Sequence, residues 1–256
     1  MGDPLSWVLI FGTTVFLFAT IYRFIVRDKQ NDPSRIARLK QNFGVQNIQQ
    51  GFPIDQSSEE IIQGVFDTPI QAYNQLLEGD TWLYIQVTSL TGQDHNFNVI
   101  SPWSVTVFAR RLDAYFPSIA CVHAGYSIRQ TAYIRAIENG QLVLCEGIIS
   151  KDYRLYAQPD MRLDALSIFT PEVLKRIPSS PAQASLMLRK NILYYILPGN
   201  LAPEEMLESL LAHSNDLSVA LVENAHRWAA SAANHDKLQS IIDSELGVAL
   251  RELDER

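Results

Sequence analysis

The longest apolar stretch stands near the start of the chain. Leu5 to Tyr22 reads LSWVLIFGTTVFLFATIY, eighteen residues without a charge. Phe24, Ile25 and Val26 carry the run past Arg23, whose long stem can reach back to the headgroup layer. A bilayer core needs about 20 apolar residues in a helix, so residues 1–26 are expected to form a transmembrane anchor. Trp7 and Tyr22 stand near its two ends, where amphipathic rings prefer the interface. A cleaved signal peptide would need bases before the run and a small-residue cleavage site after it. Here Met1-Gly2-Asp3-Pro4 precedes it and Tyr22-Arg23-Phe24 closes it.

Beyond the anchor the pattern changes several times. Residues 27–56 look like a juxtamembrane stalk, with a short helix over Arg35 to Phe43 capped by Ser34 and an irregular stretch, GVQNIQQGFPIDQ, after it. Ser57-Ser58-Glu59-Glu60 offers a capping box and Asp67-Thr68-Pro69 a second cap. Short helices are therefore expected near 58–66 and 69–78, the second ended by Gly79. A β-rich region follows: Thr81–Leu90, Phe97–Ile100, Ser104–Leu112, Ser118–His123, Ser127–Ile137, Gln141–Glu146 and Tyr153–Ala157. These runs are dense in β-branched and aromatic residues, and turn residues such as Asn139-Gly140 separate them. Helices are expected at Met161–Ser167 and Pro171–Arg176, then a hairpin of Ser185–Lys190 and Ile192–Leu197 about Asn191.

Pro203-Glu204-Glu205 opens the clearest helix, because proline and two acids suit the first turn. Met206, Leu207, Leu210, Leu211, Leu217, Leu221, Ala225 and Trp228 recur near the helical period, which predicts a face packed on the sheet with Trp228 buried. Residues 233–256 repeat the pattern at Leu238, Ile241, Ile242, Leu246, Ala249, Leu250 and Leu253, with an acidic opposite face. The expected architecture is α+β: an N-terminal transmembrane helix, a mixed, mainly antiparallel sheet in a body over 57–232, and long C-terminal helices.

The order NGQLVLCEG, KDYRLYAQPDMRLDALSIFTPEVLKRI, ASLMLRKNILYYI and PEEMLESLL, with Tyr153-Arg154-Leu155-Tyr156 and Phe169-Thr170-Pro171-Glu172-Val173 at its centre, resembles the cytoplasmic domain of bacterial membrane proteins in the domain-of-unknown-function class. The resemblance spans about a third of the chain and implies a strand, a short helix, a hairpin and a C-terminal helix in that order. It brings no active site. Such families place two membrane helices ahead of the domain, where this chain has one apolar run.

Composition adds to this picture. Of 256 residues, 19 % are charged, against about 25 % in an average soluble domain, and the apolar run explains part of the deficit. The net charge of −7 argues against a nucleic-acid binder. The bases are unevenly placed. Arg23, Arg27, Lys29, Arg35, Arg38 and Lys40 follow the run, and no Lys or Arg precedes it. The positive-inside rule then puts the body in the cytoplasm and the N-terminus outside a cell membrane that the chain crosses once. Arg23, Arg27 and Lys29, with Trp7 and Tyr22, are the expected membrane-interface residues, and the bilayer is the expected partner. A protein partner would meet the C-terminal helices.

Candidate chemistry is sparse. Cys121-x-His123 on a strand puts thiol and imidazole on one face, but a nucleophile also needs an orienting group and an oxyanion site. Gly125-Tyr126-Ser127 lacks the second glycine of a nucleophile elbow, since Arg129 stands in its place. His213, His226 and His235 are spaced by thirteen and nine residues, which does not bring two to one helix face at adjacent turns as a metal pair requires. Arg110 and Arg111, with Arg129 and Arg135, are a candidate basic patch for phosphate or lipid headgroups. No cofactor fingerprint occurs. The expectation is therefore a membrane-anchored, non-catalytic interaction or scaffold domain. The alternatives are a lipid- or small-ligand-binding β-rich domain, and an enzyme with a dispersed site around Cys121 and His123.

Overall fold

The computed structural model describes residues 32–49, 61, 65, 70–90, 105–124, 140–143, 151–199 and 201–230. The chain divides into two compact units, 1–45 and 46–256. The expected anchor and the expected helix over 233–256 lie outside the described residues. Among those described, no helix is long and apolar enough to cross a membrane.

In the first unit, helix α1 spans Pro33–Phe43. Asp32, not Ser34, caps it. The Asp32 carboxylate accepts hydrogen bonds from the Ser34 backbone N–H at 2.9 Å and the Ser34 hydroxyl at 2.8 Å, and Pro33 fills a position where a missing N–H costs nothing. These two bonds hold the Asp32 carboxyl below its ordinary range. The helix ends where Gly44, at φ +63°, donates to the Lys40 carbonyl at 3.1 Å. That left-handed conformation favours glycine.

The second unit is α+β, as the sequence predicts. Among the described residues seven strands, β1 (Asn47–Gln49), β2 (Ile70–Glu78), β3 (Trp82–Leu90), β4 (Val105–His123), β5 (Gln141–Val143), β6 (Tyr153–Ala157) and β7 (Ser185–Pro198), form one sheet. Every described pairing is antiparallel. Helices α2 (Arg162–Ile168), α3 (Pro171–Arg176) and α4 (Pro203–Ala229) follow, with single 3₁₀ turns among them. The sheet is organised around β4. β7 pairs along one edge of it; on the other, β3 takes residues 105–110 and β6 takes 119–123.

Four local expectations give way to this pairing. Residues 70–78 are strand, not helix, because they pair with β3. Gln75, Leu76 and Leu77 are all buried, so both faces of β2 are covered and its apolar positions fall side by side instead of alternating. The two runs expected to either side of residues 113–117 fall, over the described residues, on the single strand β4 (Val105–His123), and the expected hairpin about Asn191 is the single strand β7 (Ser185–Pro198). Between Arg111–Ile192 and Ile119–Leu188, eight steps along β4 oppose four along β7. The surplus is taken up as a bulge, while Lys190 turns to φ +58° on the facing strand. The turn residues about Asn191 bend the strand without reversing it. Asn47–Gln49, expected to be irregular, adds a short strand to β2.

Paired residues share a face. Val105, Val107 and Ala109 of β4 join Leu83, Ile85, Val87, Ile192, Tyr194 and Ile196 in one buried apolar cluster. Past the bulge, Ala120, Val122 and Met187 enter the same cluster. The opposite face carries Trp82, Tyr84, Gln86, Thr106, Phe108, Arg110 and Tyr195, and lies towards α4.

The β2–β3 turn depends on one glycine. Gly79 N–H donates to the Trp82 carbonyl at 2.9 Å, and a methyl on Gly79 would fall 2.3 Å from the Trp82 indole. Trp82 stacks on Phe108 with centroids 6.1 Å apart, which limits its retreat. Gly79→Ala is expected to destabilise the fold by about 1–3 kcal/mol, read in a denaturant titration. With Trp82→Leu as the second change, the double mutant should lose less than the two singles together. Additive losses would show that the two positions do not compete for space.

Candidate functional site

The richest set of polar side chains lies between the sheet and α4. Three rows cross β3, β4 and β7 there: Gln86–Thr106–Leu197, Tyr84–Phe108–Tyr195 and Trp82–Arg110–Leu193. In the first row, the Thr106 hydroxyl donates to the Gly199 carbonyl at 2.8 Å and accepts from Leu201 N–H at 3.1 Å. The Gln86 amide and the Tyr84 hydroxyl, the latter at 2.5 Å, both donate to the Leu201 carbonyl. Together these bonds fasten the chain between β7 and α4 to the sheet.

In the second row, Phe108 meets Tyr195 edge-on at 5.8 Å, and Tyr195 meets His213 of α4 edge-on at 5.6 Å. The Tyr195 hydroxyl lies 2.8 Å from His213 Nδ1, and His213 Nε2 lies 3.2 Å from the Arg176 carbonyl. A carbonyl only accepts, so Nε2 carries the proton and Nδ1 accepts from Tyr195. Burial pushes the Tyr195 phenol far above its ordinary range, which keeps it a donor. Burial also lowers the His213 pKa, against smaller opposing effects from the Arg176 carbonyl and Asp216, so the neutral imidazole is favoured. In the third row, Arg110 donates to the Ser214 hydroxyl at 3.0 Å.

The far half of α4 is fixed in the same way. Asn224 donates to the Ile168 carbonyl at 2.8 Å and to the Thr170 hydroxyl at 3.2 Å. Trp228 Nε1 donates to Asp164 at 2.9 Å. Trp228 is buried, as the apolar stripe predicts, alongside Leu207, Leu210, Leu217, Leu221 and Ala225. Met206 and Leu211 lie at the margin, half-buried.

The residues singled out from sequence are scattered through this frame. Cys121 is fully buried, paired opposite Leu155 on β6 and Leu186 on β7. His123 shares its face as expected, with its ring edge-on to Tyr153 at 5.0 Å, and its backbone N–H bonds the Ser185 hydroxyl at 3.1 Å. The Tyr153 hydroxyl is 3.1 Å from the Ser180 hydroxyl, and burial raises its pKa. These neighbours place Cys121 in the interior and His123 against Tyr153. Arg110 and Arg111 diverge: Arg110 points under α4, whereas Arg111 is exposed. His226 is exposed, apart from His213. Trp7, Tyr22, Arg23, Arg27, Lys29, Gly125–Ser127, Arg129, Arg135, Cys145 and His235 lie outside the described residues. Among the described residues no three His, Cys, Asp or Glu side chains gather as a metal site. A surface pocket at the β2–β3 turn, lined by Ile61, Asp80, Trp82 and Arg111 among others, has a volume of ≈ 30 Å³, about the share of one water.

No family model and no curated protein matches the chain. Among solved structures, the mycobacterial trehalose monomycolate transport factor A, TtfA, is similar at a TM-score of 0.44 and 14 % identity, over 72 % of this chain and 94 % of that one. A likeness this loose carries no conclusion about this chain.

Two measurements check the docking of α4. Trp228→Ala is expected to cost roughly 3–5 kcal/mol, since it opens a large cavity and removes the donor to Asp164. A change below about 1 kcal/mol would show that the indole is not packed. For His213, the folded pKa lies below the unfolded value of about 6.5, so the unfolded chain binds more protons as pH falls past that value. Its contribution is therefore complete above about pH 6.5 and is lost as pH falls through the folded pKa. Stability measured from neutral to mildly acidic pH should fall less steeply in His213→Gln than in the unaltered chain; equal slopes would remove His213 as the cause.

Proposed function

We propose that the chain is a membrane-anchored interaction or scaffold protein without catalysis, crossing the membrane once over Leu5–Val26 and holding its body on the cytoplasmic side. The observation that carries this reading is how the body uses its polar groups. The side chains most able to do chemistry beneath α4, Tyr195, His213, Arg110 and Asp164, are taken up in bonds that join α4 to the sheet and to α2 and α3. Aromatic side chains fill the interior around them, with Tyr84, Phe108, Phe116, Phe169 and Tyr195 fully buried. Large apolar side chains are meanwhile left at the surface. Leu163 on α2 is 81 % exposed and Val219 on the outer face of α4 is 71 % exposed. In this reading they are the points at which a protein partner is sought. The uneven basic residues around the apolar run support the orientation.

A photoreactive residue at Leu163 or Val219, in the full chain in intact membranes, is expected to give a discrete adduct of higher mass. The same residue at Glu208, about three turns away from Val219 along the exposed side of α4, should not. Deleting Met1–Val26 should release the protein from the membrane fraction and abolish the adduct. A deleted chain that still sediments with membranes, or adducts that are the same at all three positions, would overturn the proposal.

A further inference from the structure

We infer that α1 is a docking surface for anionic lipid headgroups, held against the bilayer by charge and not by insertion. This rests on the anchored reading above and names a partner for a different part of the chain. Helix α1, PSRIARLKQNF, carries Arg35, Arg38 and Lys40 and no acid, within a chain whose net charge is −7. The neighbouring acid, Asp32, caps the helix as a carboxylate and offsets part of the charge of Arg38, which leaves the helix and its cap with a positive balance. Leu39 is 1 % exposed, and its neighbours Arg38 and Lys40, about 100° to either side of it on the helix, are both exposed.

The burial pattern decides the mode of contact. Leu39 is already covered, and Ile36 and Phe43 are half-buried, so α1 has no bare apolar stripe to sink into a membrane. What it presents is positive charge and neutral polar groups such as Gln41 and Asn42, both exposed. Reach is also suitable. Pro33 follows Val26 by seven residues, at most about 25 Å of extended chain, so a helix anchored through Val26 keeps α1 near the headgroups. Arg27, Asp28 and Lys29 lie on that path in the sequence. Each base near an anionic surface shifts the docking equilibrium about fivefold, and salt weakens the attraction. A nucleic acid is disfavoured as the occupant by the acidity of the chain as a whole.

The test uses the full chain in lipid nanodiscs with an environment-sensitive fluorophore on Asn42→Cys, one turn beyond Arg38, and nitroxide-headgroup lipid as quencher. The same chain without that substitution, labelled in parallel, supplies the background. Quenching is expected to be stronger in phosphatidylcholine mixed with phosphatidylglycerol than in phosphatidylcholine alone. It should fall to the neutral-lipid level when salt is raised from about 0.1 M to about 1 M, where the Debye length shrinks from about 10 Å to about 3 Å. Arg38→Gln with Lys40→Gln should weaken docking on the order of 25-fold, and the charge-preserving pair Arg38→Lys with Lys40→Arg should retain it. Quenching that is equal in the two lipids, or unchanged by the glutamine pair, overturns the headgroup site and leaves the anchor standing. Such a result would place the cations against an acidic protein or in solvent. Failure of the full chain to enter nanodiscs of either composition overturns both.

Discussion

The pairing of β4 with β7 is the contact on which the second unit depends. It runs from Val105–Pro198 to Cys121–Leu186, and every larger feature attaches to it. β3 and β6 occupy successive stretches of the remaining edge of β4, so the groups β1–β2–β3 and β5–β6 meet through that strand alone in the described hydrogen-bond order. Strands this long twist strongly if left regular. The register shift between Arg111 and Ile119 divides β4 into two segments, each of which carries its own neighbours.

The second layer follows from the first. β7 ends at Pro198, and the chain turns at once into α4, whose line of approach is set by what Thr106, Gln86 and Tyr84 grip in the connection. The polar groups under α4 act as locators. Apolar contact alone tolerates sliding, because a leucine stripe packs nearly as well one turn away. A tyrosine–histidine bond and an arginine–serine bond tolerate only one register, since any other leaves buried donors and acceptors without partners. Two further anchors, Asn224 and Trp228, fix the other end of the same helix against α2 and the segment after it.

Much of this was legible where the signal is local. The stripe from Leu207 to Trp228 is set by helical spacing, and its positions are buried except Leu211, which is half-buried. The strands Trp82–Leu90 and Tyr153–Ala157 likewise stand close to their expected bounds. The failures arise where a distant partner decides. Residues 70–78 follow helix-start signals at Asp67-Thr68-Pro69 and precede a glycine, yet pairing with β3 makes them strand. Asn191 reads as a turn because asparagine tolerates reversal, and nothing nearby reveals that both flanks pair with one continuous strand. The locators beneath α4 were partly visible. Ser214 and Asn224 interrupt the apolar stripe at core positions, four residues after Leu210 and three after Leu221, and a polar residue at such a position signals a buried bond. Their partners, Arg110 and the Ile168 carbonyl, are 104 and 56 residues away, beyond what periodicity can report. For the same reason Tyr195 gave no sign of His213.

The span of that central pairing also governs how the chain acquires its structure. Val105 and Pro198 are separated by more than ninety residues, and even the near end, Cys121 with Leu186, closes a loop of more than sixty. The β2–β3 hairpin, joined through Gly79, can close early because its loop is short. β4 cannot complete the pairing along its second edge until residue 198 has been synthesised, and the late, entropically costly closure is the step that contact order makes slow. Until then β4 exposes a nineteen-residue strand with one edge open, and Val105, Val107 and Ala109 still lack their neighbours on β7. Interrupted synthesis or a slowed final segment thus leaves an apolar, unpaired strand in the growing chain, the kind of surface that recruits chaperones or seeds aggregation.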